Sequence, residues 1–168
     1  MPTVALINGH AFAGGLMMAM HHDYRVMSPA RGFVCLNELE FGAALKPAMS
    51  GIFRLKTPPA TYRSLVLEAH RFGGAQAKEA GLVDVTGGMD EALALIKERN
   101  LIKKAMPGGI YGVLKAEMYR ESIGYLTVEG HEREEARDQR NAEAEDRRKV
   151  EGEKRVAELK RAQKPSKL

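Results

Sequence analysis

Apolar residues are spread along this chain in two different ways. Residues 1 to about 126 mix short apolar runs with Gly and Pro, whereas from Glu129 onward apolar positions are sparse and charges dominate. The first run, Val4-Ala5-Leu6-Ile7, is apolar at every position. A strand buried on both faces of a parallel sheet reads this way, which predicts a strand over 3–8. Asn8-Gly9 ends it, and the small residues Ala11, Ala13, Gly14 and Gly15 lead into an apolar segment with three methionines. A glycine turn and a helix over about 14–22 are predicted there. Short strands are predicted near 24–28 and 32–36, joined by the turn Ser28-Pro29-Ala30-Arg31-Gly32. Helices are predicted over about 46–56, 60–70, 75–80 and 89–99, with a strand at 82–86. The remainder to about 126 reads as helical, interrupted at 107–109. Four short strands are few neighbours for a doubly buried one, so the sheet is expected to be incomplete.

The segment from Glu129 onward holds 12 Lys or Arg and 11 Asp or Glu. Opposite charges recur four residues apart, as in Glu129/Arg133, Glu143/Arg147 and Glu151/Arg155. This predicts one long solvated helix without the apolar stripe that a strong coiled coil requires. The chain is therefore divided into a mixed α/β part, 1–126, and a charged helical extension, 127–168.

At 168 residues the chain is long enough for one domain with a core and too short for two. The net charge of +4 comes from interspersed signs, which gives a weak case for a nucleic-acid partner. No apolar run reaches membrane-spanning length, so no membrane span is expected. The single cysteine, Cys35, has no internal disulfide partner, which suits a reducing setting. His21 and His22 lack a ligand set for zinc, and no metal is expected.

The glycine turn raises the main chemical question. Glycine costs conformational entropy, so bare backbone between strand and helix should have a use. Either two elements pack closely there, or a ligand touches the main chain. A helix N-terminus offers unpaired N–H groups and a partial positive charge, and Gly14 is the best-placed donor toward a developing oxyanion. The spacing of Gly9, Gly14 and Gly15 does not match the dinucleotide fingerprint.

"INGHAFAGGLMMAMHHDYRVM" resembles the strand–turn–helix signature of the crotonase superfamily, the enoyl-CoA hydratases and isomerases. "RFGGAQAKEAGLVDVT" resembles the family's later stretch at Ala77, Ala80, Gly81, Leu82 and Val83. The likeness runs from about Pro2 to Tyr125 and implies the C-terminal part of a crotonase-type fold. It also implies that Gly14 supplies one of two backbone donors to an acyl-CoA thioester oxygen. Hydratases of the family use two glutamates, and the position of the first is Met17 here. A thioether cannot deprotonate water. The second falls on Glu38, in "LNELEFG", a segment similar to that of Δ3,Δ2-enoyl-CoA isomerases. There one glutamate takes a C2 proton and returns it at C4.

The resemblance therefore implies Glu38 and Gly14 as catalytic, with Ala13, Gly15, Met17 and Leu36 around the substrate. The substrate would be a coenzyme A thioester, with no other cofactor. Hydration by an unconventional acid and a non-catalytic family remnant are the alternatives. Glu40, two residues on, would face away in an extended segment. Asp23 reads as a structural partner and Cys35 as core. The family also implies a homo-oligomer and a sheet-rich portion ahead of residue 2 that carries the other oxyanion donor. This chain alone is thus expected to be inactive and poorly soluble. Ser166-Lys167-Leu168 matches the tripeptide read by the peroxisomal import receptor, which implies a peroxisomal location.

Overall fold

A computed structural model describes residues 1–106 and 108–162. The chain divides into two compact units, Met1–Tyr125 and Leu126–Leu168. In the first, β1 (Val4–Ile7) pairs in parallel with β3 (Tyr24–Met27), and β3 pairs with β5 (Val85–Thr86). A second parallel pair joins β2 (Ala11–Phe12) to β4 (Val34–Cys35). Helix α1 (Gly14–His21) lies between β2 and β3 in the chain. After β4 come α2 (Glu38–Phe41), α3 (Pro47–Lys56), α4 (Pro59–Leu67) and α5 (Gly74–Glu79). After β5 come α6 (Met89–Glu98), α7 (Leu101–Ala105), α8 (Ile110–Met118) and α9 (Arg120–Tyr125).

The apolar run at 4–7 is explained by two cores. Ala5 and Ile7 pack with a cluster that includes Leu16, Met20, Ile52 and Phe53. Val4 and Leu6 pack with Val26, Ala92, Leu95 and Leu101. Alternate side chains thus serve opposite faces of the sheet. β1 still stands at the edge of its three-stranded sheet, in line with the expected shortage of neighbours. Its outer side borders an open groove of about 540 Å³.

Two strand predictions shrink in the structure. Leu82 and Val83 do not extend β5; their N–H groups donate to the Ala77 carbonyl and close the end of α5. Their side chains are buried in the first cluster, so an apolar run expected in a sheet serves a helix terminus instead. The strand expected at 32–36 keeps only Val34 and Cys35, while the glycine turn contains the two-residue β2. Gly32 has φ +85°, and a Cβ there would fall 2.1 Å from the Gly9 carbonyl oxygen. Close backbone packing thus accounts for glycine at 32, against the chain at 9.

A buried polar network ties α1 to the later chain. Arg25, 6% exposed, donates from Nε to the Leu82 carbonyl at 2.6 Å and from Nη1 to the His22 carbonyl at 3.1 Å. It also pairs with Asp84 at 3.4 Å. Asp23 accepts from the Thr3 amide at 2.8 Å and pairs with Lys115 at 2.8 Å. Burial opposes that carboxylate, but Lys115 and Thr3 outweigh it and hold its pKa below the usual value. Lys56 Nζ closes the C-terminal end of α1, donating to the carbonyls of Met20 at 2.7 Å and His22 at 2.5 Å.

Burial, reinforced by Arg25, lowers the Lys56 pKa from 10.5 to about 8. The unfolded chain therefore binds more protons than the folded one between these values, and Lys56 makes stability rise with pH across that window. Tyr111 and Tyr119, raised from 10.0 to about 12 by burial first and Asp23 next, act oppositely. The unfolded tyrosines ionise first, so they withdraw stability above pH 10. Urea midpoints should rise from pH 8 toward 10 and fall beyond it. Lys56→Met should flatten the rising limb; an unchanged limb would exclude Lys56 as its source.

In the second unit, α10 (Val128–Ala162) is a single helix of 35 residues, about 52 Å long. Glu145 pairs with Lys149 at 3.2 Å, four residues on. Arg133 Nε donates to the main-chain carbonyl of Glu129 at 3.1 Å. No helix among the described residues is long and apolar enough to cross a membrane.

Candidate active site

The site is built where β2 and β4 end. Their register places Phe12 beside Cys35, and the Ala13 amide extends it by donating to the Cys35 carbonyl at 3.0 Å. Because the strands are parallel, the chain leaves both at the same end. Gly14 begins α1 two residues after Phe12, and Glu38 begins α2 three residues after Cys35. Segments far apart in the sequence thus bring a helix N-terminus and a carboxylate to one sheet end.

Gly14 and Gly15 do not serve tight packing. Among the described residues, a Cβ on Gly15 would meet nothing within 4 Å, and one on Gly14 would meet only the Met49 Cε at 3.9 Å, an ordinary contact. The bare backbone of this turn therefore stays open to a ligand. No side chain caps α1, although Ser, Thr, Asp or Asn usually fills that role. Its N-cap is Ala13, held at φ 48° and ψ −122°, a conformation that disfavours a residue with a Cβ. Strain of this kind costs on the order of 1–3 kcal/mol and gathers at functional sites.

Glu38 is 8% exposed, and among the described residues its Oε2 has no hydrogen-bond partner. Leaving a buried acceptor unpaired costs roughly 1–3 kcal/mol or more. The side chain is therefore retained against stability. Asn37 Oδ1 is a second buried acceptor in the same condition. The segment around Glu38 is helical rather than extended. Gly42, at φ 73°, ends that helix, and the Ala43 amide donates back to the Glu38 carbonyl at 3.0 Å. Glu40 points elsewhere and pairs with Arg71 at 3.1 Å on the surface.

Met17 and Leu36 are enclosed in the first apolar cluster at 5% and 1% exposure. Gly15 borders the groove along β1, together with Met18 and His22. Cys35 is fully buried, and burial foremost raises its thiol pKa. That holds it as the protonated thiol rather than a nucleophile. Among the described residues no cluster of His, Cys, Asp or Glu could hold a metal ion. Ser166, Lys167 and Leu168 lie outside the described residues. Sequence reasoning missed Met49 on α3, whose Cε lies 3.9 Å from where a Cβ on Gly14 would stand. Its position three residues after Lys46 carries no signal of that contact.

The Enoyl-CoA hydratase/isomerase family profile matches residues 1–163. The chain belongs to this family. It is 32% identical over 134 residues to the peroxisomal enoyl-CoA delta isomerase 2 of Arabidopsis thaliana, covering 77% of this chain and 56% of that protein. It is 33% identical over 85 residues to the carnitinyl-CoA dehydratase of Escherichia coli K12, covering 49% of this chain and 31% of that one. An enoyl-CoA hydratase structure from Mycobacterium avium subsp. paratuberculosis K-10 superposes with a TM-score of 0.60 at 21% identity. It covers 79% of this chain and 53% of that one, and supports the crotonase-type fold alone. The chain spans about half the length of the isomerases it matches.

Proposed function

We propose that this site shifts the double bond of a 3-enoyl-CoA to the 2-position through a thioester enolate. The observation that carries the reading is one buried carboxylate, Glu38, whose Oε2 has no partner among the described residues and which follows β4, while the uncapped α1 follows the paired strand β2. The Gly14 N–H would donate to the thioester oxygen as negative charge develops there, where a preorganised donor lowers the barrier most. Glu38 would accept the C2 proton, the electron pair would move into the dienolate, and the same proton would return at C4. One carboxylate suffices because no water is consumed. Met17 stands where a second would be needed, and its burial keeps that position apolar. The similarity to Arabidopsis enoyl-CoA delta isomerase 2 supports the same choice.

Asn37 favours a second reading. Its buried Oδ1, with Glu38 Oε2, supplies two acceptors, the number that would hold both hydrogens of one water. The match to a carnitinyl-CoA dehydratase fits such an arrangement. Product analysis separates the two readings. With 3-enoyl-CoA, an active form of the protein should give the 2-enoyl product, and with 2-enoyl-CoA little 3-hydroxyacyl product. Robust hydration would transfer the site to the second reading. We also infer a peroxisomal location, supported by Ser166-Lys167-Leu168 and by the name of the Arabidopsis relative. An acyl-CoA thioester, the peroxisomal import receptor and further copies of the chain are the partners this reading implies.

A further inference from the structure

We propose that Met49 determines which acyl group this site accepts, admitting a linear chain and excluding one branched next to the thioester carbonyl. The inference rests on the assignment of Gly14 as thioester donor. Among the described residues, and apart from the neighbouring chain and helix backbone, the Met49 Cε methyl is the one atom within 4 Å of the place a Cβ on Gly14 would occupy. Nearby methionines do other work: Met17 and Met20 are buried, whereas Met49 is 44% exposed. Its backbone is fixed. The Met49 amide donates to the Lys46 carbonyl at 3.0 Å, the Ser50 hydroxyl donates to the same carbonyl at 3.0 Å, and Ile52 and Phe53 anchor α3 in the core.

A fixed backbone and a half-exposed, unbranched side chain make a hinged apolar stop. A thioester oxygen bound at the Gly14 amide brings the carbon next to its carbonyl toward this methyl. An unbranched thioether with three rotatable bonds can swing aside for a methylene chain. A methyl branch on that carbon needs the volume the thioether retains. Shortening the side chain should therefore change the preference between substrates rather than affinity in general.

The test uses a form of the protein that turns over 3-enoyl-CoA, with octanoyl-CoA and 2-methyloctanoyl-CoA, two saturated thioesters that bind without reacting, by calorimetric titration. Met49→Ala should raise the affinity for the branched thioester relative to the linear one about tenfold, the scale of one methyl group in an apolar pocket. Met49→Leu, one atom shorter and without the Cε methyl, should shift the ratio in the same direction by less. Isotope-labelled methyl resonances of buried Met20 and Met27 report whether the fold is intact. An affinity ratio that stays within about twofold in Met49→Ala, while both thioesters bind, overturns the proposal and leaves the site assignment standing. Failure of the unsubstituted chain to bind either thioester overturns that assignment and the proposal with it.

Discussion

Glu38→Gln should lower turnover of 3-enoyl-CoA by about 10²–10⁴-fold in a form of the protein that turns it over. The amide keeps the shape of the side chain but is too weak a base to take a carbon-bound proton. Affinity for a saturated acyl-CoA should change only a few-fold, because the proposed mechanism holds the thioester through Gly14 rather than through the carboxylate. The urea midpoint should not fall. Glu38 Oε2 has no partner among the described residues, so replacing that oxygen breaks no recorded bond there. Loss of activity together with a large loss of stability would assign Glu38 a structural role. A variant that retains more than about a tenth of the turnover, a loss below about 1.4 kcal/mol in the barrier, would remove it from the mechanism.

Arg25→Ala should lower the unfolding free energy by about 3–5 kcal/mol, the scale for breaking a buried ion pair from one side. Three interactions end with that side chain. The Leu82 carbonyl loses its 2.6 Å donor, the His22 carbonyl keeps only Lys56, and Asp84 loses its guanidinium. The Arg25 amide still donates to Asp84 at 2.8 Å, which tethers the carboxylate without neutralising it. Arg25→Lys should recover little, since one ammonium cannot reproduce a planar fork aimed at three acceptors. Equilibrium urea unfolding measures both variants. A loss below about 1 kcal/mol for Arg25→Ala would place the pair in the class of exposed salt bridges.

Much of this architecture is legible in local pattern. The run Val4–Ile7, the glycine turn and the methionine-rich helix carry their own signals, and the dense mixed charge after Glu129 announces α10. Glu38 is different: its chemistry came from resemblance, since a glutamate in a short segment has no distinguishing periodicity. The four residues of α2 are too few to show a helical repeat. Likewise, β2 is two residues inside a turn, held by partners 23 positions away in sequence. Leu82 and Val83 misread as strand because short apolar runs look alike whether they enter a sheet or close a helix. Asp23 reads as a structural partner, but the rest of its network, with Arg25, Asp84, Lys115 and Lys56, is not legible for a related reason. Its ion pairs span 59 and 92 positions, and pairing at that range depends on topology rather than spacing. The approach of Met49 to the place of a Gly14 Cβ belongs to the same class.

The central claim is that one carboxylate moves one proton between two carbons. A single-turnover reaction of 3-enoyl-CoA deuterated at C2, run in ordinary water and read by mass spectrometry and NMR, tests it most directly. In the proposed mechanism the C2–D bond breaks, the deuteron passes to Glu38, and it is delivered to C4. The account predicts deuterium at C4 of the 2-enoyl product, with the label disappearing along with turnover in Glu38→Gln. A product whose C4 carries only solvent hydrogen, formed at the same rate with Glu38→Gln, would contradict it.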